Sequence, residues 1–448
     1  MYTEKEFELI NKLAAEMKDD CVKFIQDLIR IPSISGNEKG VADRIMEELN
    51  KLGYDKVMRD KYGNVIGMVF ANGESPSKDR PCIMYNSHMD HVDPGDPANW
   101  EGYDPYGGEI DICECDNADM TAKEMVACIH GRAASDVKSG HGFQVYAGGL
   151  IVKMREMGYK MEGDFMYTGV VNEEPGQNAG TRRLMAETLP EAGLDFDACV
   201  SSEATSLNLY LGHRGRIEYL ITTYGRTSHG SCPQNGINAV YKAMPVIEKI
   251  RKDVIPNLPV DPDNEVEPAS ISLNVIECKP GALSIVPDQC MLSLDRRTMI
   301  GETEESAMKI LQDVLDECAA EDPEFKGEVI VKPDVSKCYT GEEMVGKKFT
   351  EAWKIKKDHP FTMACAKALE GLGQPVKYGY WSFATDCAVT AGHYRKPTIG
   401  YSGMQEQYAH TPYDKARIDF IEKALAGNAG IFLTASAMDK SEFKALEF

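Results

Sequence analysis

The chain has 448 residues, of which 43% are hydrophobic and 27% charged, so it can bury a large core and is long for one domain. Its formal net charge of −22 argues against binding to nucleic acid or to an anionic membrane, because counterion release would not favour either. No apolar run approaches the ~20 residues that a membrane-spanning helix needs. We therefore predict a soluble protein that binds neither nucleic acid nor membrane.

The cysteines and the N-terminus indicate the cellular compartment of the protein. The 13 cysteines are scattered without a CxxC pair, and most lie in apolar runs where buried free thiols are expected, as at Cys82, Cys199 and Cys290. This pattern is typical of a reducing compartment. Residues 1–6 lack a basic region followed by an apolar stretch, so no signal peptide is predicted. These features favour a cytoplasmic location.

The first part of the chain alternates predicted helices and strands. The first 50 residues have helical periodicity with a break at 31–36, and a further helix is predicted after Asp136. Strands are predicted at 65–70, 82–85, 165–171, 198–200 and 397–400, and a long loop at about 93–130. This alternation predicts an α/β fold with a mainly parallel sheet flanked by helices.

A different pattern begins near residue 211. Residues 217–224 and 291–295 alternate as half-solvated antiparallel strands do, and helices are predicted at about 238–253 and 307–318. These elements indicate an inserted α+β domain whose sheet leaves one face free. We therefore divide the chain into residues 1–211, an insert at 212–335, and residues 336–448, which return to the first pattern.

Groups that can bind metal follow several of the predicted strands. The pentapeptide 87–91 places His88 and Asp90 two residues apart, so in extended chain both side chains leave on one side and the carboxylate can reach the imidazole. The other groups at strand ends are the pair Glu173-Glu174, Glu203 and His410. Because the carboxyl ends of strands in open α/β sheets face one crevice, these groups can converge.

Each of these groups alone has an ordinary structural explanation. His88 can be a satisfied structural histidine, Asp136 can cap the helix that follows it, and Glu173-Glu174 can be a solvated loop pair. His410 stands in a Thr-Pro turn. Six ordered motifs change the balance: Ser-His-x-Asp-x-Val (87–92), Gly-Arg-x-x-x-Asp-x-Lys (131–138), Glu-Glu (173–174), Ser-Glu-Ala-Thr (202–205), Ser-His-Gly-Ser (228–231) and Ala-His-Thr-Pro (409–412).

Together these motifs resemble the co-catalytic zinc hydrolases of the aminoacylase, acetylornithine deacetylase, succinyl-diaminopimelate desuccinylase and carboxypeptidase G family. The resemblance implies two divalent metal ions per chain, with Zn²⁺ the family's usual ion and Mn²⁺ or Co²⁺ also suited to oxygen-rich sites. It implies one ion held by His88, Asp136 and Glu203, and a second held by Asp136, Glu174 and His410. Asp136 would bridge the two ions.

The same resemblance implies roles for four further residues. Asp90 would orient the histidine ligand, and Glu173 would be the general base that takes a proton from water and passes it to the departing nitrogen. His229 would reach into the partner subunit's site and stabilise the oxyanion, which requires a homodimer. Arg297 would bind the substrate's carboxylate. The remaining histidines are expected to be structural: His91, His130, His141, His213, His359 and His393.

The closer resemblance is to the branch of selenium-metabolism-linked hydrolases. It is carried by Trp100 with Asp-Pro-Tyr (104–106), Gly-His-Arg-Gly-Arg (212–216), Asp-Arg-Arg (295–297), and Trp-Lys (353–354) with Asp-His (358–359). The chain departs from the family at Ala204, where proline is frequent, and at Ser284, where an asparagine is frequent. Residues 107–129 form a longer segment than usual between the first two motifs.

The resemblance implies a catalytic α/β domain, 1–211 and 336–448, interrupted by a lid and dimerisation domain, 212–335. The expected reaction is hydrolysis of a C–N amide bond in a small N-acyl or N-carbamoyl amino acid with a free carboxylate. The alternatives are a dipeptidase or carboxypeptidase with the same mechanism, and a non-catalytic, metal-free binding protein on this scaffold.

Overall fold

The structure is a computed structural model that describes residues 4–448, so residues 1–3, in which part of the N-terminal prediction falls, lie outside the described residues. The helices are α1 (Glu4–Ile29), α2 (Lys39–Lys51), α3 (Ser139–Glu156), α4 (Ala179–Arg183), α5 (Leu189–Ala192), α6 (Ala239–Lys249), α7 (Glu304–Glu321), α8 (Pro360–Gly371) and α9 (Ile418–Ser436). The strands are β1 (Lys56–Arg59), β2 (Val65–Val69), β3 (Cys82–His88), β4 (Ile110–Asp116), β5 (Lys123–His130), β6 (Asp164–Val170), β7 (Ala198–Ser201), β8 (Leu209–His213), β9 (Gly215–Tyr224), β10 (Ser270–Lys279), β11 (Gln289–Thr298), β12 (Gly327–Val331), β13 (Pro333–Lys337), β14 (Glu343–Lys347), β15 (Phe349–Thr350), β16 (Trp353–Lys354), β17 (Tyr378–Trp381), β18 (Thr398–Gly400) and β19 (Lys415–Arg417).

The largest sheet has the strand order β1-β2-β6-β3-β7-β18-β8-β16, with β17 also beside β8. Its centre is parallel, since β3 pairs in parallel with both β6 and β7, and β18 pairs in parallel with β7. The flanking pairs β1–β2, β2–β6 and β8–β16 are antiparallel. The predicted α/β class is confirmed, and the sheet is mixed, with its parallel part at the centre.

Burial on both faces explains the short apolar run in β3. All seven of its residues are buried. Ile83 and Tyr85 join the core cluster that includes α3 and α9, whereas Met84 joins a second cluster on the opposite face with Leu184 and Met185. A strand covered on both sides needs continuous apolar residues rather than alternation, which is the pattern of this run.

A second sheet has the order β10-β11-β9-β12, with β15 paired to β9, and its strand pairs are antiparallel. Burial alternates along β11, as the sequence predicts for a half-solvated strand. Its buried side packs on α6 and α7, where Tyr219, Ala243 and Leu311 share one core cluster. The division at 212–335 stays a prediction; residues 212 and 213 lie in β8, which pairs within the large sheet.

The predicted loop at 93–130 is wrong in its second half, where β4 and β5 form an antiparallel hairpin. β19, from the far end of the chain, pairs with β5 and completes a three-stranded sheet. The hairpin buries few of its apolar residues, and Ile112 and Met125 are exposed. Its sequence therefore does not show the regular alternation of apolar and polar residues that predicts a half-buried strand. Pairing with a distant segment stabilises it instead.

The structure bears on the predictions about the cysteines and about membrane-spanning helices. The cysteines are free thiols, and Cys82, Cys199 and Cys290 are buried as predicted. Within residues 4–448, no helix combines the length and apolar character needed to cross a membrane.

Candidate active site

The ends of three parallel strands build the floor of the site. His88 is the last residue of β3 and lies opposite Val170, the last residue of β6, in the parallel register. Ser201 ends β7 opposite Asn86. All three strands therefore end at the same edge of the sheet. Glu173 and Glu174 follow the end of β6 within four positions, and Glu203 follows the end of β7 by two.

His88 stands at the centre of the buried part of the site. Its Nδ1 donates to the carbonyl oxygen of Asp90 at 3.0 Å, which leaves the Nε2 lone pair free to bind a metal. Nε2 lies 3.1 Å from Asp136 Oδ1 and 3.6 Å from Glu203 Oε1. These are the three residues that the family resemblance assigns to one metal ion.

His410 occupies the open side of the same cluster. Its Nε2 lies 2.9 Å from Asp136 Oδ2 and 3.2 Å from Glu174 Oε2. Asp136 therefore directs one carboxylate oxygen towards His88 and the other towards His410. This arrangement is the one expected of a bridging carboxylate between two metal ions.

The chemistry of this cluster fits divalent cations. Ligand atoms lie within 4.8 Å of one another in the group His88, Asp136 and Glu174 and in the group His88, Glu173 and Glu203. Glu174 Oε1 is buried and has no hydrogen-bond partner within the described residues. Burial raises the pKa of both Glu173 and Glu203 well above the usual range. So many buried carboxylates require positive charge, and oxygen with imidazole nitrogen is a suitable donor set.

Asp90 has a second contact that its spacing from His88 does not reveal. Its nearer carboxylate oxygen lies 3.6 Å from His88 Nδ1, farther than its own carbonyl oxygen. The carboxylate accepts hydrogen bonds from the backbone N–H groups of Glu173 at 3.0 Å and Glu174 at 3.1 Å, and from Ser35 Oγ at 2.6 Å. Asp90 thus holds the backbone of the glutamate pair as well as lying beside the imidazole.

Glu173, the predicted base, is buried beside two polar groups that were not predicted from the sequence. Asn178 Nδ2 donates to Glu173 Oε1 at 3.2 Å. Asp386 is also buried, and its negative charge raises the pKa of Glu173 further, after burial itself and the charge of Glu203. Neither Asn178 nor Asp386 stands at a strand end or within one of the six motifs, so no local signal marks them.

A cleft of about 330 Å³ opens above the cluster. Arg297, the predicted carboxylate-binding residue, lines it together with Arg216, its direct neighbour on β9. Asp295 accepts from Nε of Arg297 at 2.9 Å and from Nε of Arg216 at 2.7 Å, so one carboxylate fixes both guanidinium groups. Arg216 was missed, although it ends the motif at 212–216.

His229 does not line this cleft. It is exposed, and its Nδ1 accepts from the backbone N–H of Ser231 at 3.1 Å and from Ser231 Oγ at 2.8 Å. The structure therefore brings together the predicted metal-binding residues, Glu173 and Arg297, and leaves His229 outside the site of its own chain.

Asp414 holds the segment that carries Asp136. This buried carboxylate accepts from the backbone N–H of Ala133 at 2.7 Å and of Ser135 at 2.9 Å, and from Arg132 Nη1 at 3.1 Å. It follows His410 by four positions, so the two chain segments that flank the cluster are joined here. No local sequence pattern marks Asp414, because its partners lie about 280 positions away.

Replacing Asp414 with asparagine is expected to lower the free energy of unfolding by about 3 kcal/mol, because an amide cannot accept all of these bonds and leaves Arg132 buried and unpaired. Metal affinity should fall as well, since the backbone before Asp136 loses its anchor. Urea unfolding and metal titration measure the two effects. Asp419→Asn is the control: Asp419 is 43% exposed, and its partner Arg417 keeps a second ion pair with Glu124, so this change should cost under about 1 kcal/mol. Equal losses in the two variants would contradict the anchoring role.

Known proteins resemble this chain over most of its length. Residues 211–323 match the family of peptidase dimerisation domains. The uncharacterized protein YgeY of Escherichia coli (strain K12) is 30% identical over 416 residues, covering 91% of this chain and 93% of YgeY. Succinyl-diaminopimelate desuccinylase of Caulobacter vibrioides is 28% identical over 273 residues, which are 60% of this chain and 62% of that enzyme.

Among solved structures, the YXEP protein of Bacillus subtilis, described as a dinuclear metal-binding peptidase of the M20 family, aligns with a TM-score of 0.63 at 15% identity. The alignment covers 94% of this chain and 98% of YXEP. Fold and relatives together define an enzyme class, the hydrolases of amide bonds. The chain belongs to the M20 family of metallopeptidases. The narrower resemblance to selenium-metabolism-linked hydrolases stays a prediction.

Proposed function

We propose that this protein hydrolyses the C–N amide bond of a small N-acyl or N-carbamoyl amino acid with a free carboxylate. One observation carries the proposal: a carboxylate, Asp136, lies between two histidines at the base of a cleft whose wall carries paired arginines. The carboxylate between two histidines suits two metal ions, and the two arginines suit an anionic substrate.

In the proposed site, His88, Asp136 and Glu203 hold one divalent ion, and Asp136, Glu174 and His410 hold the other. Zn²⁺ is the expected ion, and Mn²⁺ and Co²⁺ suit the same oxygen-rich set. When bound, the ions supply Lewis acidity that polarises the amide carbonyl and lowers the pKa of the attacking water.

Glu173 takes the proton from the attacking water and delivers it to the nitrogen of the leaving amine, so the base ends the cycle as it began. Its neighbour Glu174 faces His410, whereas Glu173 accepts from Asn178 and faces the group around His88. Asp90 holds both residues through their backbone N–H groups. Glu174 can therefore bind a metal ion while Glu173 acts as the base.

Arg297 and Arg216 support the choice of a carboxylate-bearing substrate. Asp295 accepts from Nε of each guanidinium. Within residues 4–448 no ion pair occupies the Nη atoms of Arg297, so they can bind a carboxylate. Arg216 Nη2 is held by Glu218 at 2.9 Å, so it is a positioning group beside Arg297. A cleft of about 330 Å³ suits an amino-acid derivative rather than a long peptide.

We also propose a cytoplasmic homodimer with the lid and dimerisation domain at 212–335. The match to peptidase dimerisation domains supports this assembly. β10 lies at the edge of the second sheet and exposes Val275 and Ile276, and such an edge is suited to covering by a second copy. In that dimer His229, exposed on one chain, reaches the cleft of the partner and stabilises the oxyanion.

A substrate panel tests the function. The protein is loaded with Zn²⁺, Mn²⁺ or Co²⁺ and assayed on N-acetyl, N-succinyl and N-carbamoyl amino acids, on their carboxyl methyl esters, and on dipeptides. We expect hydrolysis of at least one N-acyl or N-carbamoyl class, loss of activity on chelation, and at least a tenfold lower kcat/KM on the ester, because Arg297 loses its charged partner.

The other outcomes favour the alternatives. Hydrolysis of dipeptides in preference to every acyl amino acid would identify a dipeptidase or carboxypeptidase that uses the same residues. A folded protein that retains no metal at the cluster and hydrolyses nothing on the panel would favour a metal-free binding protein. Either result would overturn the proposed activity on N-acyl and N-carbamoyl amino acids.

A further inference from the structure

The hairpin of β4 and β5 carries a second set of metal-binding side chains, Asp111, Cys113 and His130, which we call the hairpin cluster. Asp111 and Cys113 stand two residues apart on β4 and therefore share one face. The register pairs Ile110 with Ile129, which places His130 on the same face of the neighbouring strand. Their ligand atoms all lie within 4.8 Å of one another. None of the three lines the catalytic cleft.

A single imidazole nitrogen faces both of the other groups. His130 Nε2 lies 2.8 Å from Asp111 Oδ1 and 3.6 Å from Cys113 Sγ. In tetrahedral zinc sites, Zn–S and Zn–N bonds of about 2.3 and 2.0 Å place sulfur and nitrogen about 3.5 Å apart. The observed separation of Sγ and Nε2 is therefore that of two ligands on one ion.

Tyr103 holds two members of the cluster in place. Its ring stacks on the His130 imidazole at 4.0 Å with planes 3° apart, and its hydroxyl donates to Asp111 Oδ2 at 2.6 Å. Asp111 Oδ1 stays directed at His130. Hydrogen-bonded carboxylates and fixed imidazoles are the usual support of metal ligands, because they reduce the entropy lost on binding.

A cationic side chain lies beside Cys113. Lys415 Nζ lies 3.6 Å from Cys113 Sγ and also donates to the carbonyl oxygen of Glu114 at 2.7 Å. Cys128 lies opposite Asp111 in the register and contacts Cys113, so a second sulfur is close.

We propose that the hairpin cluster binds one further divalent ion of the zinc class through Asp111, Cys113 and His130. The ion would tie β4 to β5 immediately before the segment 131–136 that Asp414 anchors. Its role is thus to stiffen the support of the catalytic cluster. The site is separate in composition as well as in place, since the candidate active site offers carboxylates and imidazoles, whereas the hairpin cluster also offers a cysteine sulfur.

Cobalt separates the two sites spectroscopically. The whole protein is stripped with a chelator and titrated with Co²⁺, and thiolate-to-cobalt charge transfer is followed in the near ultraviolet. We expect one such band, lost in Cys113→Ser and kept in Glu203→Gln, which alters only the catalytic cluster. Zinc content should fall by one ion per chain in Cys113→Ser. Tyr103→Phe should raise the dissociation constant for Co²⁺, measured from this band, about tenfold or more. The change keeps the ring on His130 and removes the hydrogen bond that orients Asp111.

Cys278→Ser is the matched control, since Cys278 is also half-buried on a strand, in the second sheet. It should change neither the band nor the zinc content. Absence of the band at saturating Co²⁺ in the wild-type protein would overturn the proposal, and so would a band that survives Cys113→Ser. Hydrolysis in the substrate panel is measured separately, so failure of this site and failure of the proposed function give different results.

Discussion

Glu173→Gln is expected to lower kcat by about 10²–10⁴-fold while the metal content of the protein stays that of the wild type. The amide keeps the shape of the side chain and can still contact Asn178, but it cannot take a proton from water. The proposed metal ligands His88, Asp136 and Glu203 are untouched. Steady-state kinetics and elemental analysis of the same preparation measure the two quantities.

Glu191→Gln provides the matched control, because Glu191 is an exposed glutamate on α5. It should leave kcat within about twofold of the wild type. Turnover near the wild-type value in Glu173→Gln would refute its role as the base. Loss of turnover together with loss of metal would assign Glu173 to the metal-binding set instead, in keeping with its closeness to His88 and Glu203.

The second large effect concerns His229. We expect His229→Ala to be nearly inactive alone, and a mixture of His229→Ala with Glu173→Gln chains to recover roughly a quarter of wild-type activity after subunit exchange. Half of the dimers in an equal mixture are mixed, and each mixed dimer contains one site with an intact Glu173 and the partner's intact His229. Activity of the re-equilibrated mixture, with heterodimers verified by differently tagged chains, measures the recovery.

The control mixture combines His229→Ala with the double variant His229→Ala/Glu173→Gln, in which no site receives an intact histidine from either chain. It should recover nothing. If verified heterodimers of the two single variants are equally inactive, His229 does not act across the dimer, and its exposed position beside Ser231 is only structural.

Much of the candidate site was predictable because its residues stand at recognisable places in the chain. His88, Glu174 and Glu203 each follow a short apolar run, and parallel strands buried on both faces end at one edge of a sheet. The order of the six motifs then pointed to the family. Asp136 depended on those motifs, because it stands at the start of a predicted helix and does not follow a strand end.

The residues that were missed act through contacts that no local pattern records. Asp414 binds backbone groups about 280 positions earlier, and Arg216 reaches the cleft only because β9 lies beside β11. The hairpin at 110–130 was predicted as a loop because its strands expose apolar residues and pair with β19. Asp90 also holds Glu173 and Glu174 through their backbone, which its spacing from His88 did not indicate.

The sequence by itself therefore determined the α/β class, the inserted antiparallel pattern, and the identity of the groups that gather at the strand ends. Those properties depend on periodicity and on residue type, which are local. Only the tertiary structure decided that Asp414 anchors the segment before Asp136, that Asp295 fixes two arginines, and that the hairpin cluster exists. Such distances are set by strand pairing and packing between segments far apart in the chain, because a side chain's neighbours across a sheet are not its neighbours in sequence.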